Sequence, residues 1–143
     1  MRIGTRSVLF GVHQFALHPL FIALGWYRAY GWRRVRLSAA GTGSTHLLDP
    51  RLWLAFVVHD LGYVGQPNMD GPEGETHPKL GAAVMRRLFG AAWGDFVLLH
   101  SRYYAKRLGR PVSPLAMADK WVIVLEPWWL YLPRARLTGE LSE

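Results

Sequence analysis

His59 and Asp60 stand side by side at the end of an apolar stretch, AFVVHDLGY. Burying an imidazole and a carboxylate together is costly unless both are satisfied. A divalent cation satisfies both, because neutral imidazole and carboxylate are good ligands for borderline and hard metals. Further histidines and one aspartate stand in comparable settings: His18 in HPLFIALGW, His77 in HPKLGA, His100 in LLHSRYYAK and Asp119 in PLAMADKWVIVL. The chain has no cysteine, which excludes disulfides and thiolate sites and leaves His and carboxylate as the strong ligands. One such residue is most often a hydrogen-bonded polar group of a core. Five separate sites of this kind are poorly explained by coincidence.

The elements that must position these residues are helices. Residues 18 to 30 form an apolar, aromatic helix candidate ending at Gly31, and Asp49-Pro50 caps and opens a second over 50 to 62. The spacing predicts a third helix capped by Thr76 and closed by Gly90. A fourth runs from about Trp93 to Leu108, and a fifth from Ser113-Pro114 to Glu126, stopped by Pro127. Residues 33 to 45 and 64 to 75 read as loops, and the Trp-rich tail from 127 to 143 as irregular or weakly helical. No alternating strand pattern stands out. The expected class is all-α, one compact bundle of about five or six helices over 1–143 with its core in about 15–126. His46 competes with His18 as the first ligand, but it lies in a Gly/Ser/Thr stretch rather than on an apolar helix, so His18 is preferred. His13 reads as an ordinary core or surface histidine. Asp70, Glu73 and Glu75 read as loop solubility, although a carboxylate so close to His77 can also orient it. Lys120, directly after Asp119, is expected to point away.

In this order, HDLGY, HPKLGA, LLHSRYYAK and MADK resemble the HD superfamily of helical metal-dependent phosphohydrolases, over roughly residues 15 to 126. The resemblance implies one metal held by His18, His59, Asp60 and Asp119. It implies a second completed by His77 and His100, with Asp60 bridging. The implied cofactors are two divalent ions among Fe, Mn, Co, Ni and Mg, and the implied reaction is hydrolysis of a phosphate ester by metal-activated hydroxide. Arg102 and Lys106, one helical turn apart, are then candidates to neutralise phosphate charge, or else plain solvated cations. Tyr63 stands where many HD hydrolases carry the lysine of HDIGK, and the HHExxDGxGYP block of the cyclic-dinucleotide phosphodiesterases is missing. HSRYYAK and HPKLGA are also similar to the di-iron HD oxygenases, which cleave C–C or C–P bonds with O₂ on the same ligand set. That is the alternative.

Composition agrees with an enzyme acting on anions. The 143 residues carry 17 Lys+Arg against 10 Asp+Glu, a net charge of +7, and half of them are apolar. Such a balance favours anionic partners (phosphorylated metabolites, nucleic acid or anionic lipid headgroups), and by composition alone a generally basic, soluble surface accounts for it equally well. No stable nucleic-acid partner is expected, a peripheral membrane contact stays open, and the tail reads as core cover or a homodimer contact. Ser7 to Tyr27 has no formal charge and is long enough for a bilayer. It contains His13, Gln14 and His18, however, and is therefore read as buried core. No cleavage site follows it, so the expected compartment is cytoplasmic.

Overall fold

The computed structural model describes residues 1–141. Among these, eight α-helices and one two-stranded ribbon are formed, more helices than the five or six expected. They are α1 (Ile3–Phe10), α2 (Leu17–Tyr30), β1 (Val35–Arg36), β2 (Ser44–Thr45), α3 (Pro50–Val58), α4 (Pro78–Phe89), α5 (Ala91–Leu98), α6 (Arg102–Arg107), α7 (Pro114–Leu125) and α8 (Trp128–Thr138). No helix among the described residues is long and apolar enough to cross a membrane. The uncharged stretch from Ser7 is broken between α1 and α2, and Gln14 Oε1 accepts the Leu17 N–H at 2.7 Å across that break.

The expected start signals hold at α3, where the Asp49 side chain accepts the Arg51 N–H and Pro50 opens the first turn. They fail at α4. The Thr76 hydroxyl donates to Glu73 O at 2.8 Å and accepts from the Gln66 side-chain amide rather than from a backbone N–H of α4, so Thr76 belongs to a 3₁₀ turn before His77 and does not cap the helix. The loop over 33 to 45 contains the β1–β2 ribbon, with Val35 opposite Thr45 and Arg36 opposite Ser44. Within the tail, Trp128–Thr138 form a helix despite Pro133. Buried Glu126 pairs with Arg134, whose guanidinium also donates to Gly11 O at 2.9 Å, so α8 is fastened back onto the α1–α2 turn.

Two predicted helices are interrupted, and both interruptions carry ligands. The helix expected over 50 to 62 stops at Val58, followed by a single 3₁₀ turn at Leu61–Tyr63. His59 keeps helical backbone angles and its N–H bonds Ala55 O, and the chain departs from the helix at Asp60, so the pair sits on the last helical turn. The helix expected over 93 to 108 breaks at Leu99–Ser101. The carbonyls that would continue it are taken from outside its ladder: Phe96 O accepts Ser113 Oγ–H, Val97 O accepts the His100 ring and Leu99 O accepts the Ser113 N–H.

The core is aromatic and aliphatic, with Trp26 against Phe56 and Phe96, and Ile22, Leu52 and Met85 fully buried. Helix α2 lies along α7, and α4 along α5. Glycines let the chains that bear ligands approach. A Cβ on Gly81 would overlap Val58 O, and one on Gly62 would overlap His77 O. Gly81→Ala is accordingly expected to force α4 away from the end of α3. The expected cost is roughly 1–3 kcal/mol of stability, read as a lower denaturation midpoint with an unchanged m-value.

Candidate metal centre

Each ligand candidate is delivered from a different place. His18 comes from the first turn of α2 and Asp119 from the middle of α7. His59 and Asp60 follow α3, His77 precedes α4, and His100 sits in the break between α5 and α6. The structure brings all six together in two groups that could hold metal ions: His18, His59, Asp60 and Asp119, and Asp60, His77 and His100. His46 joins neither group, and its Nδ1 accepts the Leu48 N–H.

Distances within the first group resemble the edges of a coordination polyhedron. His59 Nε2 lies 3.0 Å from Asp60 Oδ2, and His18 Nε2 lies 3.3 Å from both Asp60 Oδ2 and Asp119 Oδ1. Ligand atoms each about 2.1 Å from a common ion stand roughly 3.0–3.4 Å apart. Hydrogen bonds do not account for this convergence. Among the described residues, both ring nitrogens of His18 and Nε2 of His59 are buried without a hydrogen-bond partner, which is costly for polar atoms left that way.

Tautomers sharpen the fit. His59 Nδ1 is 2.9 Å from Phe56 O, His77 Nδ1 is 2.6 Å from Gly74 O, and His100 Nδ1 is 2.5 Å from Val97 O. A carbonyl only accepts, so each ring carries its proton on Nδ1, and in a neutral ring Nε2 is a bare lone pair. His77 Nε2 and His100 Nε2 nevertheless face each other at 3.2 Å, with Asp60 Oδ1 at 3.5 and 3.8 Å. Lone pairs so placed repel unless a positive charge lies between them. Backbone-anchored Nδ1–H with Nε2 directed inward is how metal-ligating histidines are commonly oriented.

Charge is balanced within the cluster. Burial alone would raise the Asp60 carboxyl, but the positive charge of His59 and the closeness of the His100 and His18 rings hold it well below the usual range. Burial likewise opposes ionisation of Asp119, and His18 and His59 overcome it. Burial would lower His59, but Asp60 and Asp119 raise it to about 10. A proton thus takes the place of a cation there, and a metal must displace it. His77 is lowered to about 4 by burial and by the neighbouring imidazoles, so it is a neutral ligand near pH 7.

A cleft of about 260 Å³ opens over the centre, walled by His13, Tyr63, Glu75, Ser101, Arg102 and Tyr103. Arg102 lines it, whereas Lys106, on the next turn of α6, is exposed and is not part of the lining. Lys120 faces a different cavity, beyond His18. Tyr63 stacks on His77 with ring centroids 4.2 Å apart; burial and then the nearby carboxylates raise its phenol, which therefore stays neutral. Glu75 is a wall of the cleft rather than a plain loop charge.

His13 is the residue that the sequence undervalued. Its Nε2 lies 3.8 Å from Asp60 Oδ2, its ring packs on His18, and its Nδ1 is 2.9 Å from Ser7 Oγ and 3.7 Å from Glu140 Oε2. Five residues from His18, it shares no helical face with that residue, and its partner Glu140 is far away in sequence. No local signal singles it out.

The chain matches no protein-family model, no curated protein and no solved structure.

Two outcomes follow from this geometry. His77→Ala and His100→Ala are each expected to lose one of two metal equivalents by elemental analysis with helical content retained, and Asp60→Ala to lose both. Unchanged metal content in both histidine variants would rule out the second site. Because a cation displaces the His59 proton, which stays bound up to about 10, affinity should rise with pH. Between pH 6 and 8 the expected gain is about tenfold per unit for that proton, and calorimetry in buffers of different ionisation enthalpy should register its release.

Proposed function

We propose that the protein is a metal-dependent phosphohydrolase of the HD type acting on a small phosphate ester. The observation that carries this reading is the Asp60 carboxylate, which turns Oδ2 toward His18 and His59 and Oδ1 toward His77 and His100. His18, His59, Asp60 and Asp119 would hold one cation. Asp60, His77 and His100 would hold a second, both drawn from Fe, Mn, Co, Ni and Mg, to which such a donor set is suited. Divalent cations bound there supply Lewis acidity toward phosphoryl oxygens and toward water.

The remaining work falls to the chain's own groups. Arg102, at the rim of the cleft, offers a planar fork of N–H donors that matches two phosphate oxygens. Water adds to phosphorus, the ester P–O bond breaks and the leaving alcohol takes up a proton. His13 is placed to move that proton, since its Nδ1 is held by Ser7 while its Nε2 lies on the cleft side. Tyr63 and Tyr103 narrow the opening and limit water around the phosphate. Lys106 acts from outside, adding to the field that attracts an anion.

The test is release of inorganic phosphate or nucleoside from a panel of phosphate monoesters and nucleotides by metal-loaded protein. Turnover should vanish in Asp60→Ala and Asp119→Ala. In Arg102→Ala, KM should rise on the order of tenfold or more while kcat changes little, as expected for loss of a charge-assisted ground-state contact. Oxygen uptake with bound iron and a phosphonate or polyol, with no ester turned over, would replace this proposal by the di-iron oxygenase.

A further inference from the structure

Among the described residues, nothing covers the side of α2 opposite His18. Leu20, Leu24 and Tyr27 recur at i, i+4 and i+7, forming one row, and they are 52%, 53% and 49% exposed. With Ala23, Trp32 and Trp53 they line an open groove of about 420 Å³ with almost no polar surface. Trp32, 63% exposed, meets Tyr27 edge-on. On the other side of Arg28, whose guanidinium lies over the Trp121 ring, exposed Met117 and Val124 on α7 line a separate shallow pocket with Lys120 and Trp121. Contiguous apolar surface like that of the groove marks a contact face.

Charge is segregated around the same groove. Residues 1–48 contain six arginines and no Asp or Glu, whereas the rest of the chain holds eleven cations and ten acids. Nearly all of the net charge of +7 therefore belongs to the N-terminal third. Arg28 adjoins Tyr27, Arg33 and Arg34 follow Trp32, Arg36 lies on β1, and all four are exposed. The first acid, Asp49, is buried, and its charge is met by Arg51 at 2.8 Å.

We propose that this face docks on an anionic lipid surface. Leu20 and Leu24 enter the acyl boundary, Tyr27 and Trp32 sit at headgroup depth, and Arg28, Arg33, Arg34 and Arg36 meet lipid phosphates. Apolar residues ringed by Trp, Tyr and cations of one sign are the pattern of an interfacial binder. A second copy of the chain fits poorly, because pairing the same face would oppose the same four arginines.

Co-sedimentation of the full chain with vesicles tests the proposal. Binding is expected to vesicles mixing phosphatidylglycerol with phosphatidylcholine, at least about tenfold weaker binding to phosphatidylcholine alone, and loss in high salt. Leu24→Asp should weaken binding on the order of tenfold, and so should Arg33→Ala with Arg34→Ala. Leu88→Asp, at an exposed position on α4, should leave it unchanged. Circular dichroism checks that the variants fold, and the double arginine variant, confined to an exposed loop, carries the test if Leu24→Asp does not fold. The proposal is overturned by failure to bind anionic vesicles, by equal binding to neutral ones, or by binding indifferent to these substitutions. It is also overturned by a wild-type dimer that Leu24→Asp dissociates.

Discussion

A carboxylate buried among helices sets the terms for the rest of the molecule. Asp60 is 6% exposed, and a charge so far from water must be met by groups of opposite sign or by a cation. Four imidazoles and a second carboxylate converge on it from the ends or turns of separate helices. The two helix interruptions and the glycine contacts at Gly62 and Gly81 are the local geometry through which the chain reaches that convergence. Elsewhere the helices obey ordinary apolar packing around Trp26, Phe56 and Phe96.

Much of this arrangement could be read from the sequence for a physical reason. Polar ligand types inside apolar helical context are anomalies, and His18, His59, Asp60, His77, His100 and Asp119 each stood out as one. Start signals made of local chemistry, such as Asp49-Pro50, were equally legible. What escaped was whatever depends on distant partners. The Ser113 hydroxyl and amide interrupt the helix before His100, the Glu126–Arg134 pair stabilises a tail whose own pattern is weak, and Glu140 gives His13 its place. Thr76 misled because its hydroxyl has several possible partners, and the fold gives it Glu73 O and the Gln66 amide instead of a helix N–H.

Helix α2 connects the two faces of the protein. Its inward side carries His18 to the cluster, and its outward side carries the apolar row flanked by arginines. Gly25 brings the same helix against the Ala118 carbonyl of α7, next to Asp119. Two ligands of one group therefore ride on a single closely packed pair of helices.

The fastening of the C-terminal segment bears on how the chain matures during synthesis. Val12 N donates to Glu140 Oε1 across 128 positions, and Arg134 NH1 reaches Gly11 O across 123. A polypeptide emerges N-terminus first, so every residue of the metal cluster has been made before the groups that lock the α1–α2 turn exist. Contacts of such long sequence separation also form slowly, because loop-closure entropy must be met first. Until they form, His13 lacks its distal carboxylate, and that side of the candidate centre lacks the clamp that the C-terminal segment supplies.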